Sequence, residues 1–137
     1  MNISSRCEYA CRAVLALARA DQTRTRVTAP AIAEQQRIPE KYLVHILLQL
    51  KRAGIVRSIR GAQGGYLLAR PAEEVTLYDV VSAIDGAPLD PLPVSDPASN
   101  DLAPTWRAIA ERIRRTLTKI TFRDILDRTT QGEMYYI

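Results

Sequence analysis

Apolar residues recur at intervals of three and four along much of this chain, and the breaks in that rhythm divide it into elements. Between residues 4 and 20 the apolar positions Tyr9, Ala10, Ala13, Val14, Leu17 and Ala18 share one helical face, which predicts a helix. A polar connection follows at 21–26. Thr28 then precedes a segment with Ile32 as its inward anchor, and its hydroxyl can accept from the free amides of a first turn, so a short helix is predicted. After Pro39 the rhythm returns at Leu43, Ile46, Leu47 and Leu50, with Gly54 where a left-handed C-terminal cap is expected. The period then changes. Residues 55–60 and 66–70 are rich in branched and aromatic side chains and flank Gly61-Ala62-Gln63-Gly64-Gly65, the pattern of a hairpin with a glycine-permitted tip. Helix, turn, helix and hairpin in this order predict a mainly α, winged helix-turn-helix fold with a small β-hairpin wing.

Residues 75–84 predict a further short helix, opened by Thr76 with Asp79 in the spacing of a capping box and striped by Leu77, Val80, Val81 and Ile84. Pro88, Pro91, Pro93 and Pro97 then exclude regular helix over 86–103, which reads as a loose linker. From Pro104 to Ile120 a long helix carries Trp106, Ile109, Ile113, Leu117 and Ile120 at helical spacing. A small winged domain has little spare core for a long helix that arrives after a linker, so this stripe is expected to pair with a second copy. Thr121 with Asp124 caps a last short helix, TFRDILDR, and the final Tyr135-Tyr136-Ile137 packs or frays. The expected partition is a DNA-binding domain over 1–85, a linker over 86–103, and a dimerisation helix with its tail over 104–137.

Charge sharpens this division. The chain has 137 residues and a net charge of +4, with 12 basic and 8 acidic side chains in residues 1–85 against 7 and 7 in 86–137. All of the excess belongs to the first part, which favours a polyanion partner, double-stranded DNA. From Arg37 to Arg60 there are six Lys or Arg against the single Glu40, and they fall on the second helix of the motif and on the wing. Nothing approaches the 18 or so consecutive apolar residues of a membrane span, nor the apolar core of a secretory signal, so a cytoplasmic protein without membrane contact is expected.

Off the apolar stripe, the second helix offers Lys41, Tyr42, His45, Gln49 and Arg52. Gln49 can pair bidentately with adenine, Arg52 can meet guanine or a phosphate, and Arg60 beside the tip suits a narrow minor groove, with Gln63 and Gly64 following it. Arg6, at the positive end of the first helix, is placed to meet a phosphate. His45 is the chain's lone histidine, and neither Lys41 nor Gln49 completes a metal set around it; no metal is expected. The glycine cluster is neither GxGxxG nor GxxxxGK[ST] and lies between strands, so it is not a nucleotide cradle. Cys7 and Cys11 stand four apart on one helix, a poor geometry for a disulfide. They read as small apolar packing residues or, in the alternative, as the sensor of a thiol-, redox- or metal-responsive regulator near the DNA face. No Ser, Cys or carboxylate sits in a recognisable motif with a general base, so no enzyme is expected. A winged module that binds protein instead of DNA is the other alternative.

The segments MNISSRCEYACRAVLALA, IPEKYLVHILLQLKRAGIVRSIRGAQGGYLLAR, VTLYDVVSAIDG and LAPTWRAIAERIRRTLTKITFRDIL together resemble the Rrf-type family of bacterial regulators, which includes IscR, NsrR, RirA and CymR. The likeness covers nearly the whole chain. Its most specific part is RG-x-x-GGYLLAR followed by VSAIDG. It implies a homodimeric transcription factor, expected here to be a repressor, on a partly palindromic operator, and in many members an iron-sulfur cluster as sensor. Cluster-bearing relatives carry three cysteines in the linker, where GAPLDPLPVSDPASND has none. Asp90, Asp96 and Asp101 are hard oxygen donors ill suited to such a cluster, and Glu8, about where some relatives supply a further ligand, cannot hold one alone. A cluster-free member with no cofactor is expected, its effector, small molecule or protein, left open.

Overall fold

The computed structural model describes residues 2–61, 64–90 and 96–135. Ser4 opens the first helix, α1 (Ser5–Asp21), by accepting at its hydroxyl from the Cys7 amide at 3.0 Å, which satisfies one of the free donors of the first turn. The face that α1 buries is built mostly of small residues, Cys7, Ala10, Ala13, Ala16 and Ala18, with Val14 and Leu17 among them. Small side chains let several neighbours approach closely, and α1 becomes the axis on which α2 (Ala29–Gln36), α3 (Glu40–Arg52), α4 (Leu77–Asp85), α6 (Phe122–Tyr135) and strand β2 (Gly65–Leu68) all pack.

The predicted caps and stripes are in place through the helix-turn-helix. The Thr28 hydroxyl accepts from the Ala31 amide at 3.3 Å, Ile32 is fully buried, and α2 ends on Arg37 in the left-handed region, φ 53°. Leu43, Ile46, Leu47 and Leu50 of α3 show no exposed surface, and Gly54 closes the helix at φ 75°, a conformation that costs a residue with a Cβ. Strand β1 (Val56–Ile59) pairs antiparallel with β2 in the register Val56↔Leu68 to Ile59↔Gly65.

One pairing lies outside the sequence pattern. Val27, just after the polar connection, exchanges two backbone hydrogen bonds with Tyr66, at 3.1 and 2.8 Å, so the wing is also held from this side. Gly65 permits this approach, because a Cβ there would lie 3.0 Å from the Val27 carbonyl oxygen.

Two capping boxes then start two helices side by side. Thr76 and Asp79 exchange bonds of 2.9 and 3.1 Å at the head of α4, and Thr121 and Asp124 exchange bonds of 3.0 and 3.1 Å at the head of α6. Backbone bonds of 2.9 Å from Leu77 to Ile120 and from Phe122 to Val75 tie the two starts together. Phe122 and Leu126 are buried in the same core as α1, α3 and α4. The segment after residue 120 is therefore longer than the predicted TFRDILDR and returns to the winged unit. Tyr136 and Ile137, expected to pack or fray, lie outside the described residues.

The Asp124 carboxyl is held below its ordinary range by hydrogen bonds from the Thr121 amide and hydroxyl. A depressed folded-state pKa contributes stability that is complete above about pH 4 and is lost as pH falls through the lowered value. Asp124→Ala is expected to melt below wild type near neutral pH, the gap closing in strong acid. Thermal melts across an acid series check this.

Helix α5 (Ala103–Thr118) stands apart. Pro104 occupies its first turn and it has no buried residue; its main contact is with α4. Along the predicted stripe Trp106 and Ile109 are exposed and Ile113, Leu117 and Ile120 half-exposed. In the linker, residues 91–95 lie outside the described residues. On either side the chain turns tightly, at Leu89 with φ 59° and in a short 3-10 turn, Pro97–Ser99, capped by the Asp96 carboxylate at 2.8 Å from the Ala98 amide.

Candidate nucleic-acid interface

Burial of the Leu43, Ile46, Leu47 and Leu50 stripe fixes which side of α3 faces out. Lys41, Tyr42, His45 and Arg52 are exposed and Gln49 is half-buried. The Lys41 ammonium sits 5.1 Å from the centre of the Tyr42 ring, so the pair presents one cationic, flat-faced group. Lys51 is drawn elsewhere: its Nζ donates to the Ser58 hydroxyl at 2.8 Å and braces β1 against the reading helix. Two residues that the charge-based reading passed over also face out. Val44 is 54% and Leu48 43% exposed. They lie four apart and off the buried stripe, so the helical wheel that located the core also placed them here.

The wing supplies Arg57 on β1 and Arg60 just past its end, both exposed. Gln63 lies outside the described residues. Gly64 has a steric reason to be glycine: a Cβ there would come 2.5 Å from the Ile59 carbonyl oxygen and 2.8 Å from that of Gly61, while its own amide donates to the Gly61 carbonyl at 2.9 Å. Gly64→Ala is expected to splay the tip and lower DNA affinity by about tenfold while thermal stability falls little. Anisotropy titrations alongside a melt separate the two effects.

Arg6 is brought to the reading helix from 43 positions away: its Nη2 donates to Oε1 of Gln49. The start of α1 is tied on its other side to the end of α4, where the Ser4 hydroxyl donates to the Asp85 carboxylate at 2.6 Å. Cys7 is buried and Cys11 half-buried. A hydrogen bond from Cys11 holds the Cys7 thiol below its ordinary value against burial and the Asp85 carboxylate. The same contact, with burial, pushes Cys11 far up.

The family profile described as Rrf2, iron-dependent transcriptional regulator, matches residues 3–128. The chain belongs to the Rrf2 family. Among relatives of this Rrf2 chain, the HTH-type transcriptional regulator Rv1287 of Mycobacterium tuberculosis is 39% identical over 132 residues, spanning 91% of this chain and 81% of that one. CymR of Bacillus subtilis is 31% identical over 112 residues, 78% of this chain and 79% of its own. Among solved structures, T. potens IscR aligns with a TM-score of 0.78 at 29% identity, covering 99% of this chain and 97% of that one. CymR, described as the global cysteine regulator of B. subtilis, aligns at 0.76 and 28%, covering 93% and 98%. The architecture is thus the winged helix of this family, and the Rrf2 chain is a DNA-binding transcriptional regulator and not an enzyme.

The family's description raises iron, and the donors of this Rrf2 chain do not fit an iron-sulfur cluster. Its two thiols are Cys7 and Cys11, one of them buried. Among the described residues no three His, Cys, Asp or Glu side chains gather closely enough to hold a metal ion. Cluster irons demand thiolate or imidazole ligands, which the aspartates of the linker do not replace.

Proposed function

We propose that this regulator works as a cluster-free homodimer in the cytoplasm, paired through α5, and represses transcription from a partly palindromic operator. One observation carries the reading. Leu102, Trp106 and Ile109 stand exposed together at one end of α5, on a helix with no fully buried residue. A contiguous apolar face of that kind marks an interface. The second copy is the occupant that fits, because a twofold axis makes one patch its own complement and sets two reading helices roughly 34 Å apart, one turn of duplex. No helix among the described residues is long and apolar enough to cross a membrane. Repression follows from occupying DNA that polymerase needs, and an effector, small molecule or protein, would act by changing the separation of the two heads.

The test is a mass measurement by light scattering joined to DNA titrations at several salt concentrations. A dimer is expected, with a log Kd against log salt slope of about 0.9 per phosphate neutralised. A monomer with full operator affinity would overturn the pairing, and a brown, iron-loaded protein from anaerobic purification would overturn the cluster-free assignment. Transcription from a promoter carrying the operator should fall when the protein is added; a rise makes it an activator. Arg60→Ala is expected to cost about 1–3 kcal/mol of specific binding, and unchanged affinity at fixed salt removes Arg60 from the interface.

A further inference from the structure

The Arg6 to Gln49 contact changes what Gln49 can read. Arginine has donors only, so the glutamine atom that faces it is the carbonyl oxygen, whichever way the amide is drawn. A glutamine that pairs bidentately with adenine must accept from the N6 amino group through that same oxygen while donating to N7. The oxygen keeps a second lone pair, but an adenine amino group placed on it would bring its positive hydrogens against the guanidinium. What Gln49 and Arg6 together present is a surface of N–H donors.

We propose that Arg6 makes Gln49 a donor-only reader, so that the base it governs in each half-site carries a carbonyl in the major groove, guanine or thymine, and not adenine. Guanine offers O6 and N7 and thymine offers O4, all acceptors. The exposed Val44 and Leu48 on the same helix tilt the neighbouring positions toward thymine, whose methyl group is the apolar feature of the groove. Arg6 is here a positioning residue that sets specificity through Gln49. This inference rests on the DNA-reading assignment above.

The test is selection of duplexes from a randomised pool by the full-length protein, its Gln49→Ala variant and its Arg6→Met variant. The position governed by Gln49 is the one whose preference disappears in Gln49→Ala. Wild type is expected to enrich guanine or thymine there over adenine by about tenfold. Arg6→Met, which keeps the stem and loses the donors, is expected to shift that one position toward adenine while weakening binding evenly at all others. Replacing an enriched thymine by uracil next to the governed base separates the methyl contact from the carbonyl contact, and a fall in affinity supports the part given to Val44 and Leu48. Enrichment of adenine by wild type, or an Arg6→Met profile unchanged at the governed position, overturns the proposal and leaves DNA reading intact. Failure to enrich any sequence overturns the DNA-reading assignment and the proposal with it.

Discussion

Replacement of Trp106 and Ile109 together by glutamate is expected to give a folded monomer whose operator affinity is lower by about 10²–10⁴-fold at fixed salt. In the proposed symmetric pair the double variant would bring four carboxylates into a seam that otherwise gathers Leu102, Trp106 and Ile109 from each copy, and uncompensated charge in such a place is costly. Both residues are 39% exposed in the single chain and α5 contributes nothing to the core, so each head should keep its melting behaviour. The affinity falls because the second head no longer binds as an intramolecular event beside the first. The salt slope should also drop toward half its value, since one head meets half the phosphates. Light scattering and anisotropy titrations on the same sample read both consequences. A variant that stays dimeric with wild-type affinity would remove α5 from the pairing and leave its apolar end without a role.

Much of the molecule was legible because its signals are local. The α3 stripe with Gly54 at its end, the Thr28 cap and the paired Thr76 and Asp79 each lie within a few residues of one another, and the physics that links them acts over that same distance. The hairpin was legible for the same reason, its two runs meeting across a short glycine-rich tip. Pairings between distant residues were not. Nothing about Val27 marks it as a partner for Tyr66, because backbone hydrogen bonding leaves no trace in side-chain periodicity, and the hint is only Gly65, whose missing Cβ admits the Val27 backbone.

The candidate site shows the same division. That Lys41, Tyr42, His45 and Arg52 face outward followed from the stripe beside them. That Arg6 occupies Gln49 did not, because a contact between two flexible side chains on different helices depends on how α1 crosses α3. Treating exposure as a property of charge also hid Val44 and Leu48, although the wheel alone placed them. The fate of residues 121–135 was harder still. Few of their side chains are apolar, and a short stripe of that kind says that a helix has a buried side without saying which core receives it. The Thr76 and Thr121 starts sit side by side only because the chain comes back.

That return is what Phe122→Ala addresses. Phe122 is 1% exposed, at the first position of α6, and its amide donates to the Val75 carbonyl at 2.9 Å. Truncation removes a ring from the core cluster, where α6 packs on α1 and on the Ala72–Glu74 turn, and leaves a cavity there. The expected loss is about 3–5 kcal/mol, transfer and cavity contributions together, which lowers Tm by roughly 10 °C or more in a chain of this size. Phe122→Leu, which keeps most of the volume, should lose less than about 1.5 kcal/mol. Urea melts followed by circular dichroism give both values. The loss should also reach α5, because the Ile120 carbonyl that accepts from Leu77 stands two residues before the lost ring; a loosened α6 leaves the end of α5 untethered, and the proposed dimer should dissociate at lower urea than the heads unfold. A loss below about 1 kcal/mol for the alanine variant would mean that α6 does not dock against α1 in solution, and that the winged unit is complete without it.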